Sequence, residues 1–147
     1  MKERLETLLR ELFSSQRLAV LATCAEDKAH GSLVAFAATR DLKAMVFATM
    51  RKTRKFANLS QNPDAALVID SRTNTVEDFT RALAVTANGR TREVPDEDLR
   101  EALDLYLTRH PTLAGFVTSP GCALVRLDVE SYRIVTSFRD PVEFLIP

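Results

Sequence analysis

The chain has 147 residues, with 20 lysines and arginines balanced by 20 aspartates and glutamates, and 46% of its side chains are apolar. That length suits one domain, 1–147, with one core, and the balanced charge excludes a strong global field drawing it to nucleic acid or membrane. No run approaches membrane-spanning length, and the absence of an apolar segment behind Met1-Lys2-Glu3-Arg4, with only Cys24 and Cys122, reads as a cytoplasmic chain with free thiols.

Leu5, Leu8, Leu9, Leu12 and Phe13 recur at helical spacing, which predicts an amphipathic helix over 2–16 packing on the core. Arg17 to Cys24 is a predicted strand, Ala25 to Lys28 a polar turn, Gly31 to Ala38 a second strand and Ala44 to Thr49 a third. Their connections are too short for parallel crossovers, so an antiparallel meander is expected. A fourth strand is predicted at 65–70, a polar loop at 71–78, and a long fifth strand from Phe79 to Val94, bent at Asn88-Gly89. Pro95 and the acids Asp96, Glu97 and Asp98 start a second long helix, with Leu99, Ala102, Leu103, Tyr106 and Leu107 as its buried face. Strands at 122–129 and 132–138 follow, separated by a turn at Glu130-Ser131, and residues 142–146 add an edge. Six or seven antiparallel strands with helices outside predict a small split β-barrel. Strands 18–24 and 44–49 are apolar on both faces, so each needs a helix or a second subunit on its outer side.

One stretch points to a ligand. After the apolar run Met45 to Thr49 come four cations in five residues, Arg51, Lys52, Arg54 and Lys55. Thr53 is the expected N-cap of a short helix carrying Phe56 and Leu59, and Asn62-Pro63 ends it. Cations at a helix N-terminus oppose the macrodipole, each at a cost of about 0.3–1 kcal/mol. A bound anion would reverse that sign, because free N–H groups, a hydroxyl and cations would converge on it. The alternative is a solvated basic turn.

Elsewhere the chemistry is sparse. His30 and His110 lack a second His or Cys at zinc-site spacing and read as surface residues, and the two cysteines read as buried small hydrophobes. Catalytic residues and metal ligands are not signalled, and neither glycine-rich nucleotide fingerprint occurs. A nucleic-acid site at 51–55 would lack aromatic stacking partners.

The pattern Met45-Val46-Phe47-x-Thr49, Thr53-Arg54-Lys55 and Asn62-Pro63, preceded by Gly31-Ser32-Leu33-Val34-Ala35-Phe36, resembles the pyridoxine 5′-phosphate oxidase-like FMN-binding split barrels. The resemblance implies that Arg54 and Lys55, with the Thr49 and Thr53 hydroxyls, bind the FMN phosphate. It implies that Ser32, Leu33, Val34 and Ala35 run along the flavin edge, and that Ala48 lies beside the flavin. It also implies a homodimer with the flavin at its interface. The oxidases' cations at the two ends of the 32–37 segment are missing, and so is their C-terminal signature. Their Tyr-Arg-Ser set for the substrate phosphate is echoed imperfectly by Tyr106, Arg109 or His110, and Ala114. The expectation is therefore an FMN-dependent oxidoreductase of unstated substrate. The alternatives are a flavin carrier or redox sensor, or a binder of deazaflavin, haem or another anionic cofactor.

Overall fold

The computed structural model describes residues 1–147. The strands β1 (Leu18–Ala25), β2 (Lys28–Ala38), β3 (Ala44–Met50), β4 (Asp64–Asp70), β5 (Leu83–Glu93) and β6 (Cys122–Thr136) are antiparallel neighbours. Their order is β3-β2-β1-β4-β5-β6, and a β3–β6 ladder closes it into a six-stranded barrel, the expected fold. The strand β7 (Val142–Leu145) pairs outside the closure with β6. The β1–β2 hairpin turns on Glu26 and Asp27, both at positive φ (53° and 61°), the tight geometry that matches strand twist.

Period-two alternation sends Leu21, Phe36, Phe47, Leu67, Ile69, Val85 and Leu127 into the barrel core. The N-terminal helix α1 (Lys2–Ser15) adds Leu9, Leu12 and Phe13 to that core, and Phe13 meets the Phe36 ring edge-on at 6.0 Å. Arg109 holds the end of α1: its guanidinium donates to the carbonyls of Phe13, Ser14 and Gln16 at 2.7–3.0 Å. These are carbonyls that a helix end leaves without intrahelical partners.

The outer face of β3 is covered from within the chain. Helix α4 (Asp96–Arg109) lays Tyr106 against Ala37, Val46, Ala48 and Leu124, which form a second apolar cluster. The outer face of β1 has no such cover, and Leu18 and its neighbour Leu33 on β2 remain 55% and 64% exposed.

Several expectations are corrected. No turn divides β6 at Glu130-Ser131. The strand runs on through a bulge, where β5 shifts register from Asn88↔Ser131 to Gly89↔Val129, and the Glu130 carbonyl accepts the Ile146 N–H instead. The expected bend at Asn88-Gly89 is this bulge. The fifth strand starts at Leu83, because the Asp78 carboxylate collects the N–H groups of Thr73 and Asn74 and starts a one-turn helix, α3 (Asp78–Arg81). Cys24 is exposed and Cys122 only partly buried; both are free thiols. Leu99 is exposed, because α4 turns only its later residues to the barrel. His110 is buried, not on the surface, its Nε2 2.7 Å from the Phe36 carbonyl at the point where that end of β1 runs out. No helix is long and apolar enough to cross a membrane.

Candidate functional site

The barrel is split between β2 and β3. Their ladder covers only Phe36↔Phe47, Ala37↔Val46 and Ala38↔Met45. Continued, that register would set Ala35 against Ala48 and Val34 against Thr49. The strands part instead, and these residues line a cavity of about 200 Å³. Phe36 donates its N–H to Arg17 of the β1 side. Alternation then turns the N–H groups of Leu33 and Ala35 toward the split, past the last β2–β3 pair.

Beneath the split lies the basic turn and the helix α2 (Arg54–Gln61). Thr53 caps that helix as expected: its hydroxyl accepts from the Phe56 N–H at 3.3 Å and donates to the Met50 carbonyl at 2.8 Å. The Thr49 hydroxyl stands 2.9 Å from that of Thr53. Asn58, buried on α2, donates to the Thr23 hydroxyl at 3.1 Å and pins the helix to β1.

The four cations divide. Arg51 makes a two-pronged pair with Glu93, one prong at 2.8 Å, and its guanidinium lies 5.5 Å above the Phe56 ring. The Arg51 guanidinium holds the Glu93 carboxyl below its ordinary value by hydrogen bonding and charge. Lys52, Arg54 and Lys55 take part in none of the ion pairs of the fold. No acid occupies the first turn of α2. Its start is thus a positive helix end carrying further uncompensated positive charge.

Seven of the nine expected site residues line the cavity: Leu33, Val34, Ala35, Ala48, Thr49, Thr53 and Lys55. Arg54 is on the exposed rim beside Lys55 and is not part of the lining. Ser32 also lies outside the lining, but its Oγ is buried without a hydrogen-bond partner. Of the remaining walls, Met50, Leu113 and Phe116 carried no site expectation, and Tyr106 was expected only as an imperfect echo of the oxidases' substrate-phosphate set. Tyr106 carries the only other buried side-chain oxygen without a partner. Burial pushes its phenol up to about 12, so it stands as a neutral O–H donor. The sequence signals for it are its place on the apolar stripe of α4 and its imperfect echo of the oxidases' tyrosine. Of the imperfect echo of a substrate-phosphate set, Tyr106 lines the cavity, while Arg109 and His110 spend their guanidinium and ring nitrogens on α1 and on Phe36.

A family model described as "Pyridoxamine 5'-phosphate oxidase" matches residues 5–136. No curated protein matches the sequence. Among solved structures, the chain is similar to a heme binding protein from Mycobacterium smegmatis, at 18% identity and a TM-score of 0.82; the match covers 92% of this chain and 55% of that one. The chain thus spans about half the length of that relative. It is similar to General Stress Protein 26 from Bacillus anthracis, at 17% identity and a TM-score of 0.74, over 97% of this chain and 99% of that one. It is also similar to a FAD-binding protein from Mesorhizobium loti, at 15% identity and a TM-score of 0.67, over 87% of this chain and 91% of that one. At these identities the neighbours speak for the fold.

Proposed function

The chain belongs to the pyridoxamine 5′-phosphate oxidase family, and from that premise we propose that it is an FMN-binding oxidoreductase whose split cradles the flavin by its phosphate. The observation that carries this reading is the α2 start: two hydroxyls, a helix N-terminus and Lys55 meet at the floor of the cavity, with Arg54 on its rim and no carboxylate paired to either cation. A phosphate supplies the missing negative charge and accepts from Lys55, Arg54 and the helix N–H groups; the threonine hydroxyls reach it only by turning from the Met50 carbonyl that they face in the fold. The fit extends to the buried Ser32 Oγ, which lacks a partner one residue before the lining begins. The N–H groups of Leu33 and Ala35, which face the split past the last β2–β3 pair, suit a polar ring edge.

Bound FMN would supply the hydride and electron transfer; the chain supplies position and access. Lys55 and the threonines fix the phosphate, and the β2 edge orients the ring. Ala48 leaves room beside it, and the apolar walls exclude water.

Haem is the second reading, since one structural neighbour is named for it. Neither histidine is on the cavity: His110 is committed to Phe36, and His30 lies back along β2 from the lining. The cavity therefore offers no imidazole to an iron, whereas it offers a phosphate several donors. The absorption spectrum of the purified protein tests the choice. Flavin bands, with FMN released on denaturation, are expected; a Soret band alone would replace the flavin reading with the haem one.

The same reading makes the protein a homodimer in a reducing, cytoplasmic setting. A cavity of about 200 Å³ is smaller than the roughly 300–1,000 Å³ of ordinary small-molecule sites, so one chain provides only part of the enclosure. The uncovered outer face is continuous and apolar: Leu33, Val20 and Val68 are cross-strand neighbours, flanked by the pairs Leu18–Ala35 and Ala22–Ala66. A second copy on this face would bury it and close the flavin from outside. Sedimentation at low micromolar concentration should give twice the 16.4 kDa of the chain. A monomer that still binds flavin would refute the shared site.

Pyridoxine 5′-phosphate is not expected to be a substrate, because Arg109 and His110 are spent on structural carbonyls and Ala114 offers no hydroxyl. Flavin reduction by that compound at roughly 1 s⁻¹ or faster, the low end of ordinary turnover, would contradict this.

A further inference from the structure

A second cavity, of about 390 Å³, lies outside the barrel between the first half of α4 and the strands β3, β6 and β5. It shares no lining residue with the split, and none with the apolar face offered to a second copy. Its sheet wall is cationic. Register sets Arg126 of β6 directly between Val46 of β3 and Arg92 of β5. Two arginines thus stand opposite each other on neighbouring strands, a pairing that repels. Asp128, two residues along β6 on the same face, offsets it. Its carboxylate accepts the Arg126 Nε–H at 2.6 Å and the Arg92 Nε–H at 2.9 Å. One carboxylate therefore serves two guanidiniums, and each spends only its Nε. The terminal nitrogens of both make no hydrogen bond within the chain, although the Arg126 side chain is only 31% exposed. Arg40, which also lines the cavity, takes part in no ion pair.

The helix wall carries the opposite charge. Asp98, Glu101, Ala102 and Leu105 fall on one stripe of α4, at i, i+3, i+4 and i+7, and all four line the cavity. Neither Asp98 nor Glu101 pairs with a cation, the three cavity arginines included. Asp41, the acid next to Arg40, spends its carboxylate on the Thr39 hydroxyl and the Lys43 N–H. Between the charged walls the lining is apolar, with Val46, Val94, Ala102 and Leu105. Cations and acids thus face one cavity across an apolar floor, too far apart to satisfy each other.

A simple anion here would meet the acids of α4, and a simple cation would meet the arginines of the sheet. We propose that this cavity binds a zwitterion of the amino-acid class. The free forks of Arg126 and Arg92 receive its carboxylate, Asp98 and Glu101 receive its ammonium, and a short hydrocarbon frame rests on Val46 and Leu105. A guanidinium fork matches a carboxylate in two-pronged geometry. The zwitterion satisfies both walls at once, which a ligand of one charge does not. This site is independent of the flavin reading.

The test titrates the protein as purified with three compounds built on one hydrocarbon chain: 6-aminohexanoate, hexanoate and hexylammonium. Backbone amide NMR signals report binding, at one fixed ionic strength because salt screens such contacts. 6-Aminohexanoate is expected to bind tightest, shifting signals of β5, β6 and the first half of α4 around Arg92, Arg126 and Glu101 while those of Thr49 to Lys55 stay still. In Arg126→Met the affinities for 6-aminohexanoate and hexanoate should fall roughly three- to tenfold, the worth of one charge-assisted contact that solvent partly screens; hexylammonium should bind no more weakly. In the double variant Asp98→Asn, Glu101→Gln the losses should fall instead on 6-aminohexanoate and hexylammonium, and hexanoate should bind no more weakly. Binding of 6-aminohexanoate no tighter than that of both analogues would overturn the inference. So would shifts centred on Thr49 to Lys55, or variants that weaken all three compounds alike or none.

Discussion

Replacing Lys55 by alanine is expected to weaken FMN binding by about 1.5–3 kcal/mol, the worth of a hydrogen bond to a charged group. That is roughly ten- to over a hundredfold in dissociation constant. Lys55 lines the cavity floor beside Thr53 and has no carboxylate partner. Arg54→Ala should follow the same direction with a smaller loss, since Arg54 stands on the solvent-exposed rim. Lys52→Ala and Arg51→Ala should hardly change FMN affinity. Arg51 is engaged with Glu93 in an exposed pair that solvent screens. Without FMN, the Lys55 and Arg54 variants should be as stable as wild type or slightly more so, because a cation leaves a helix N-terminus. FMN titration and apo thermal unfolding of the four variants make the comparison. Small, equal affinity losses across all four would show a diffuse basic surface.

The largest expected effect on stability is at Gly89. A Cβ there would lie 2.0 Å from the Asp128 carbonyl oxygen and 2.9 Å from its carbon, both backbone atoms of β6. Gly89 sits at the bulge where β5 shifts register, so the two backbones are held together by ladder bonds on either side. Neither can retreat cheaply, and Gly89→Ala should cost about 3 kcal/mol or more, the upper end of overpacking. Gly115→Ala is the control: nothing lies within 4 Å of the added carbon, and the short helix α5 (Ala114–Val117) tolerates alanine. Urea midpoints compare the two. A Gly89→Ala midpoint within error of wild type would refute the close approach.

What was legible in the sequence is what short-range physics decides. The Thr53 cap, the end of α2 at Asn62 and the tight turns joining β1, β2 and β3 all rest on hydrogen bonds between near neighbours. The cradle was legible for the same reason, since Thr49 to Lys55 is one local segment. What depends on distant partners was not. Glu130-Ser131 reads as a turn, but β5 and β7 supply pairing that carries the strand through it. His110 looks like a surface residue until the Phe36 carbonyl, 74 positions away, takes its Nε2. Cys24 belongs to an apolar run, yet it lies near the hairpin tip on the uncovered face of β1. The cavity's outer wall requires α4 to dock across β3; the sequence marks Tyr106 as buried and as an imperfect echo of a site tyrosine, but not the strand that it packs on.

The account turns on a phosphate being the group that the α2 start holds. The direct measurement is the ratio of dissociation constants for riboflavin and FMN, titrated into the apo protein under one set of ionic conditions. Both carry the same ring and ribityl chain, so the ratio isolates the phosphate. The cradle predicts FMN binding at least tenfold tighter than riboflavin, with the advantage shrinking toward one in Lys55→Ala. Equal affinity for the two in wild type would contradict it.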